Sequence, residues 1–286
     1  MKRRQSSITA EGIAFARAME SLKPEGERVC CDPYARQFIS LPMYVLMRLF
    51  WGYAQQRSPG VSDYLAVRTR HIDEVLRSRI DDGIAQVVIL GAGFDSRAYR
   101  LPQLKSRVKV FEVDHPATQS VKLERLKKIF VAIPDYVVYV PIDFDTETLA
   151  ERLAVSGYTR TAKTLFIWEG VVMYLTPEAV DSTLAFAAQD SGTGSSIIFD
   201  YIYTEALDGT MKRNEVASMR RAQRFSGEGL MFGISQGTIE AFLTWRGFDH
   251  IQNADTDWLK RAYFTGVNQN RPLAPAYAIV HAMVKG

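Results

Sequence analysis

Cysteine is nearly absent: Cys30 and Cys31 are the only two in 286 residues, and they are neighbours. One adjacent pair builds neither a disulfide framework nor a metal site, so both read as reduced structural thiols. Long apolar runs are missing too. The longest strongly apolar stretch ahead of residue 91, Leu41 to Tyr53, is interrupted by Arg48 and falls short of the roughly 20 residues a bilayer span needs. It reads as an amphipathic helix that packs on the domain or lines a substrate entrance. Nor does one sign of charge dominate, since 35 basic against 32 acidic residues leave +3, scattered along the chain. That balance argues against a nucleic-acid partner. Met1-Lys2-Arg3-Arg4 is basic, but polar residues follow where a signal peptide would place its apolar core, so the expected location is cytoplasmic. Histidine is scarce, with His71, His115, His250 and His281 the only four, and none sits in a motif position that marks a general base, though His115 borders Asp114 and stays open as one. What is present, 47% hydrophobic residues, suffices for the core of a soluble globular enzyme.

The chain is organised around Val87-Val88-Ile89-Leu90-Gly91-Ala92-Gly93-Phe94-Asp95-Ser96-Arg97-Ala98-Tyr99-Arg100. Four unbroken apolar residues, too few for a helix and rich in β-branching, suit a strand covered on both faces, as in parallel sheets. Two glycines at spacing two permit a sharp bend and leave no Cβ between the backbone and a ligand lying over the strand end. A dinucleotide turn wants a third small residue beside its pyrophosphate. Here Asp95, Ser96 and Arg97 follow, and the carboxylate of Asp95 suits a cationic ligand such as the sulfonium of S-adenosylmethionine better than a phosphate.

Ahead of this turn, residues 8–22, 33–53 and 63–79 read as helices, with Asp32-Pro33 supplying a cap and a first-turn proline. Arg68 and Arg70 on the third could hold a carboxylate. Behind the turn, the strand from Val108 ends in Glu112 and Asp114, 21 and 23 residues beyond Gly91. That is close to the offset of about 20 at which such folds place the acid for a ribose hydroxyl pair. A third strand, Tyr136 to Ile142, ends in Asp143-Phe144-Asp145, and a fourth, Thr164 to Trp168, in Glu169-Gly170. Acids collected on one rim, without metal-ligand spacing, suggest a cationic ligand bearing hydroxyls and an amine.

GAGFDSRAYR, FEVDHP, the Asp143-Phe144 pair and WEGVVMYLTPE resemble the leucine carboxyl methyltransferase-like family of class I S-adenosylmethionine-dependent methyltransferases. The match also takes in Ser7 to Ala10, Asp32 to Ala35 and Tyr64 to Arg70, and so reaches about residue 190. The resemblance implies an α/β, Rossmann-like fold: a seven-stranded, mostly parallel sheet with helices on both faces, an N-terminal helical extension and a lid-like insertion after strand five. It implies S-adenosyl-L-methionine as methyl donor and no metal. By the same carry-over, Gly91, Ala92, Gly93, Asp95 and Arg97 form the turn beneath the methionine moiety. Asp114 takes the ribose, and Asp143 with Phe144 the adenine. Arg68 pairs with the cofactor carboxylate, a role Arg70 could take instead, and Glu169, Gly170 and Tyr174 line the cofactor and transfer site. Arg68 and Tyr174 are the candidates for the transfer itself.

The chain thus divides into a helical cover (1–80), a cofactor-binding core (81–202), an insertion (203–236) as candidate acceptor lid, and a closing segment (237–286), all within one domain. In that last third, Ser196 to Tyr201 reads as strand five, Thr238 to Arg246 as a helix, and Phe248 to Gln252 with Ala276 to Met283 as a closing hairpin. The expected partner is a small-molecule acceptor, with no nucleic acid and no membrane. Methyl transfer from a sulfonium needs positioning and exclusion of water rather than a covalent nucleophile. An ionised carboxylate acceptor needs no base, whereas a phenol or an amine does. Methylation of a small-molecule carboxylate or hydroxyl is therefore the reading favoured here. Carboxyl methylation of a protein, a catalytically silent cofactor-binding protein and, more distantly, a nicotinamide dehydrogenase are the alternatives.

Overall fold

The computed structural model describes residues 5–105, 107–144, 146–211 and 229–286, without the side chains of 5–8. Three helices come first, α1 (Gln5–Ser21), α2 (Leu41–Arg57) and α3 (Val61–Asp81), then β1 (Gln86–Leu90), a single turn α4 (Arg97–Arg100) and β2 (Lys109–Asp114). After α5 (Pro116–Ile129) the chain runs through β3 (Val137–Pro141), α6 (Leu149–Val155), β4 (Thr164–Trp168), α7 (Pro177–Gln189) and β5 (Ser196–Ile202). Beyond α8 (Thr204–Asp208), α9 (Ile239–Thr244) and β6 (Phe248–Ala254) are followed by α10 (Thr256–Tyr263) and β7 (Tyr277–Val284).

Among the described residues the strands form one seven-stranded sheet in the order β3-β2-β1-β4-β5-β7-β6, with β7 antiparallel to both neighbours and the other pairs parallel. This is the α/β class I methyltransferase fold. Alternation along each strand sends side chains to opposite faces. Val87 and Ile89 therefore join a core with α1, α3 and α5, while Val88 and Leu90 join the other with α6, α7 and α9. All four are buried, which is why β1 reads as an unbroken apolar run rather than an alternating one. The chain leaves β1 toward β2 and β3 and returns to β4 on the other side of β1. That reversal opens the crevice at the carboxyl ends of β1 and β4 where sheets of this kind hold ligands.

Three expectations need correction. The helix read over 33–53 is two pieces: Asp32 accepts from the backbone N–H of Tyr34 and Ala35, but it starts only a 3₁₀ turn, Ala35–Phe38. Ile39 and Ser40 are then extended, and Ser40 stands at the N-cap of α2, whose first turn carries Pro42. The helix expected straight after the glycine turn is one turn long, ended by Leu101-Pro102. The closing strands pair antiparallel as expected, but α10 and a 3₁₀ turn lie between them, so the connection is no tight hairpin. The insertion is described only at its ends, and residues 212–228 of the candidate lid lie outside the described residues. Its C-terminal end is anchored: the Met231 and Phe232 N–H groups donate to the Met173 carbonyl (2.8 and 3.2 Å), beside the loop that carries Tyr174.

Candidate active site

Gly91 and Gly93 adopt φ of +66° and +42°, the left-handed region that side chains disfavour. A Cβ on Gly91 would also lie 2.5 Å from Cγ2 of Val171, in the loop after β4. The glycine therefore lets the β1 and β4 rims close on one another. The turn is tied to β2 by two bonds, Ala92 N–H to the Val113 carbonyl (3.0 Å) and Gly93 N–H to Oδ2 of Asp114 (2.5 Å). Oδ1 of Asp114 accepts from His115 N–H at 2.6 Å. Burial raises the Asp114 carboxyl above its ordinary value, against the pull of those two N–H donors. Each oxygen has one backbone donor and room for a second, which is the capacity a vicinal diol needs.

Beneath the turn lies a connected ionic network. Arg97 contacts Asp73 (2.8 Å), Asp95 (2.5 Å) and Glu169 (2.5 Å), and its Nη2 donates to the Thr69 carbonyl at 3.4 Å. Arg68 contacts Glu169 through Nε (3.0 Å) and Asp200 through Nη1 (2.6 Å). Arg100 completes the chain on Asp73 at 2.6 Å. Three guanidiniums against four carboxylates leave one excess negative charge in a buried place. Burial alone would raise Glu169, but Arg97 and then Arg68 outweigh it and hold its carboxyl well below the usual carboxylate range. Asp73 follows the same logic, with Arg100 and Arg97 overcoming burial. Nη2 of Arg68 is buried and has no partner among the described residues. A buried unpaired donor on a charged group is costly, and it is the donor that a ligand carboxylate would satisfy.

The two arginines of α3 differ in placement. Arg68 is 3% exposed in the network, whereas Arg70 pairs with Glu74 one helical turn away and keeps half its side chain in solvent. Arg70→Ala should accordingly change denaturant stability and cofactor affinity by less than about 0.5 kcal/mol; a tenfold fall in affinity would move the carboxylate site to it.

Asp95 and Arg97 sit where the glycine turn was expected to put them, but their charges face each other. Paired with Arg97, Asp95 by itself does not favour a cationic ligand over a phosphate. The cationic preference rests on the excess carboxylate of the whole network instead. Of the two acids on β2 only Asp114 reaches the rim. Glu112 is buried beside Lys122 (Nζ to Oε2 2.8 Å) and accepts from the Tyr99 hydroxyl (3.0 Å), so it supports the fold below the site. Asp143 and Phe144 follow β3, and Phe144 is 59% exposed, an aromatic face left at the rim. Tyr174 ends the 3₁₀ turn Val172–Tyr174 and is half-buried. Beside it Tyr277, stacked on Tyr64 at 4.7 Å, has its hydroxyl pushed up by burial and then by Tyr174.

Several residues of the site escaped the sequence reading, and among them Asp73 and Arg100 of the network have no signal in the sequence. Asp200, wholly buried on β5, accepts from Gly170 N–H with Oδ1 (2.5 Å) and from Arg68 with Oδ2 (2.6 Å). It thereby fixes both the loop after β4 and the guanidinium. The rule of acids near strand ends, applied to β2, β3 and β4, would have found it on β5. Arg17 of α1 is another omission, bonded to Asp32 (2.9 Å) and to the Phe94 carbonyl (2.6 Å), so that α1 clamps the glycine turn from above.

Residues 10–188 match the family model of leucine carboxyl methyltransferase. The chain belongs to that family. The methyltransferase is 32% identical to YktD of Bacillus subtilis over 218 residues, covering 76% of this chain and 71% of that protein. It is 31% identical to a Mycobacterium avium protein over 261 residues, 84% of this chain and 82% of that one. Both relatives carry the provisional name S-adenosyl-L-methionine-dependent methyltransferase. A Thermobifida fusca crystal structure provisionally titled a methyltransferase shares the fold, with a TM-score of 0.61 at 14% identity over 95% of this chain and 94% of that one. This chain is thus an S-adenosylmethionine-dependent methyltransferase. Among the described residues no group of three His, Cys, Asp or Glu side chains could hold a metal ion.

Proposed function

We propose that the enzyme moves a methyl group from S-adenosylmethionine to an oxygen of a small metabolite, with an ionised carboxylate as the preferred acceptor. The observation that carries the cofactor half is Nη2 of Arg68, a buried donor without a partner among the described residues, beside a network of excess negative charge. The amino-acid end of the cofactor has both matching features, a carboxylate for the guanidinium and an ammonium with a sulfonium for the acids. Asp114 would take the ribose, and Asp143 with Phe144 the adenine. When bound, the cofactor supplies an activated methyl carbon. The protein holds it, orients the acceptor and keeps water away.

The preference for a carboxylate rests on the histidines. His115, at the end of β2, accepts from the Ala117 N–H with Nδ1 and caps α5. His71 shares a hydrogen bond with the Tyr263 hydroxyl, and His281 is buried in β7, where burial pushes it down to about 4. His250 stands on β6, in the irregular stretch of its pairing with β7. Of the four, only His115 stands beside the rim, and its Nδ1 is spent on capping α5, so no histidine is set up there as a base for a phenol, whose ordinary pKa of about 10 would require one. Carboxyl methylation of a protein terminus is the second reading, supported by the family name.

The experiment is turnover with labelled methyl donor against panels of small carboxylic acids, phenols and C-terminal peptides. An alkali-labile product on a small acid is the expected result. An alkali-stable ether would sink the carboxylate preference, and labelling of peptides alone would sink the small-molecule reading. Calorimetry should show binding of S-adenosylmethionine and of its demethylated product, and none of nicotinamide dinucleotides. With an acceptor in hand, Tyr174→Phe should lower kcat by roughly tenfold if the hydroxyl touches the acceptor, since small displacements at the reacting centre cost up to about 100-fold. An unchanged kcat would reduce Tyr174 to packing against Tyr277.

A further inference from the structure

The helix α2 is apolar nearly all round, a pattern that belongs to helices buried on every side. Yet none of its residues is buried. Met43, Tyr44, Met47 and Trp51 form one edge that packs on the core, with Tyr44 and Trp51 set against Phe15 of α1 at ring-centroid distances of 5.6 and 5.3 Å. The opposite side presents Leu41, Val45, Leu46, Leu49, Phe50 and Tyr53 to solvent, with Leu49 76% and Phe50 57% exposed. The other large exposed apolar residues among those described, such as Val131, Val155 and Val267, come singly along the chain, as is ordinary for soluble proteins. Six within thirteen residues of one helix form a contiguous patch, and patches of that kind mark contact surfaces.

Charge indicates the occupant. Between Asp32 and Asp63 the chain has no Asp or Glu at all, and its only charged residues are Arg36, Arg48 and Arg57. The guanidinium of Arg36 lies 3.9 Å over the ring of Tyr44, at the foot of the helix. In a protein with 32 acidic residues, a stretch with cations and no anions is selective. A second copy meeting this face would bring the same arginines and no Asp or Glu, so it would gain nothing from charge. An anionic lipid surface gains from both features, since apolar side chains enter the acyl boundary while arginines reach back to the headgroups.

We propose that α2 docks the enzyme, lying flat, on an anionic membrane surface. The face from Leu41 to Tyr53 is about 18 Å long at 1.5 Å per residue, a length for lying on a bilayer rather than crossing it, and no helix of the described residues is long and apolar enough to cross one. This revises the expectation that the protein has no membrane partner. The inference rests on the patch and its charge, independently of which acceptor is methylated. Because α2 packs on α1, and α1 places Ala10 against the glycine turn (3.6 Å from where a Cβ on Gly93 would be), docking would bring the cover of the cofactor site to the lipid interface.

The test is co-sedimentation of the full chain with vesicles of phosphatidylcholine alone and of phosphatidylcholine mixed with phosphatidylglycerol, at low and high salt. Binding to the mixed vesicles, weaker at high salt and weaker still to phosphatidylcholine alone, is the expected result. Leu49→Ser with Phe50→Ser should reduce it at least tenfold while leaving the melting temperature and cofactor affinity unchanged, because neither side chain is packed. Arg48→Glu should reduce binding to the anionic vesicles only. Absence of binding to either vesicle would overturn the proposal, as would equal binding by the double variant. A monomer–dimer equilibrium in sedimentation that the double variant abolishes, without vesicle binding, would assign the face to a second copy instead.

Discussion

Arg97→Met should cost about 3–5 kcal/mol of stability at neutral pH, the range for breaking a buried ion pair by removing one partner. Asp95 loses the cation it faces, while Glu169 retains Arg68 and Asp73 retains Arg100. Two guanidiniums would then face four carboxylates, and the extra charge has little water to screen it. The pH dependence follows from the direction of the shifts. Glu169 and Asp73 are held below their ordinary values in the folded protein. The stability they contribute is present above the unfolded carboxylate pKa of about 4 and is lost as pH falls through the depressed folded values. In the variant that depression shrinks, so the gap between wild type and variant should be widest near pH 7 and narrow below about pH 4. Urea midpoints across that range decide it. A gap that stays constant with pH would mean that the loss comes from packing of the arginine stem and not from charge. Arg97→Lys keeps the charge but not the fork that reaches three carboxylates, and should fall between the two.

The same network explains which parts of the site could be read from the chain and which could not. Local signals served where chemistry is local. Four apolar residues ahead of GAG identify a two-faced strand, and strand four was read with the bounds it has, Thr164 to Trp168. An acid at the carboxyl end of a strand is a local feature too, and Asp114, Asp143 and Glu169 were found on that basis. What sequence could not give is the partner of each charge. Asp95 looked like a free carboxylate because Arg97 is two residues away, and only the one-turn helix α4 folds that guanidinium back onto it. Arg68 and Arg70 are equivalent in pattern, and the rotation of α3 against β4 and β5 separates them. Asp200 lies 132 residues from Arg68, so their contact is a product of the order β1-β4-β5 rather than of spacing. Glu112 and Asp114 share strand parity and still differ, because Lys122 of α5 pairs with Glu112 inside the fold, whereas Asp114 ends the strand and accepts from the backbone N–H of Gly93 and His115.

The helix α2 shows the opposite limit. Its apolar stretch, Leu41 to Tyr53, is shorter than a bilayer span needs. Periodicity did not say that the helix would turn only one edge inward, because apolar residues occur on all its sides and nothing in the pattern chooses the buried one. The choice is made by Phe15 of α1, which Tyr44 and Trp51 meet edge-on or tilted, leaving Leu49 and Phe50 outside.

Asp114→Ala should weaken binding of S-adenosylmethionine by about 30- to 150-fold, the equivalent of roughly 2–3 kcal/mol for a charge-assisted hydrogen-bond pair. The usual milder substitution should not be mild. Both carboxylate oxygens accept from backbone N–H groups, Oδ2 from Gly93 and Oδ1 from His115. In Asp114→Asn one of those acceptors becomes an amide donor facing another donor, so the side chain either rotates off the turn or leaves a buried N–H unpaired. Asparagine should therefore lose nearly as much affinity as alanine, and Asp114→Glu, which keeps two acceptors but overshoots the turn, should do no better. Glu112→Gln provides the contrast. It lies below the site against Lys122 and Tyr99, so it should lower the melting temperature while leaving the affinity of the surviving folded protein within a few-fold of wild type. Calorimetric titration of the four variants, with thermal melts on each, separates the cases. If asparagine binds like wild type, the two backbone bonds are not what holds the carboxylate in place. If Glu112→Gln loses more affinity than Asp114→Ala, the ribose acid lies one strand repeat earlier than assigned.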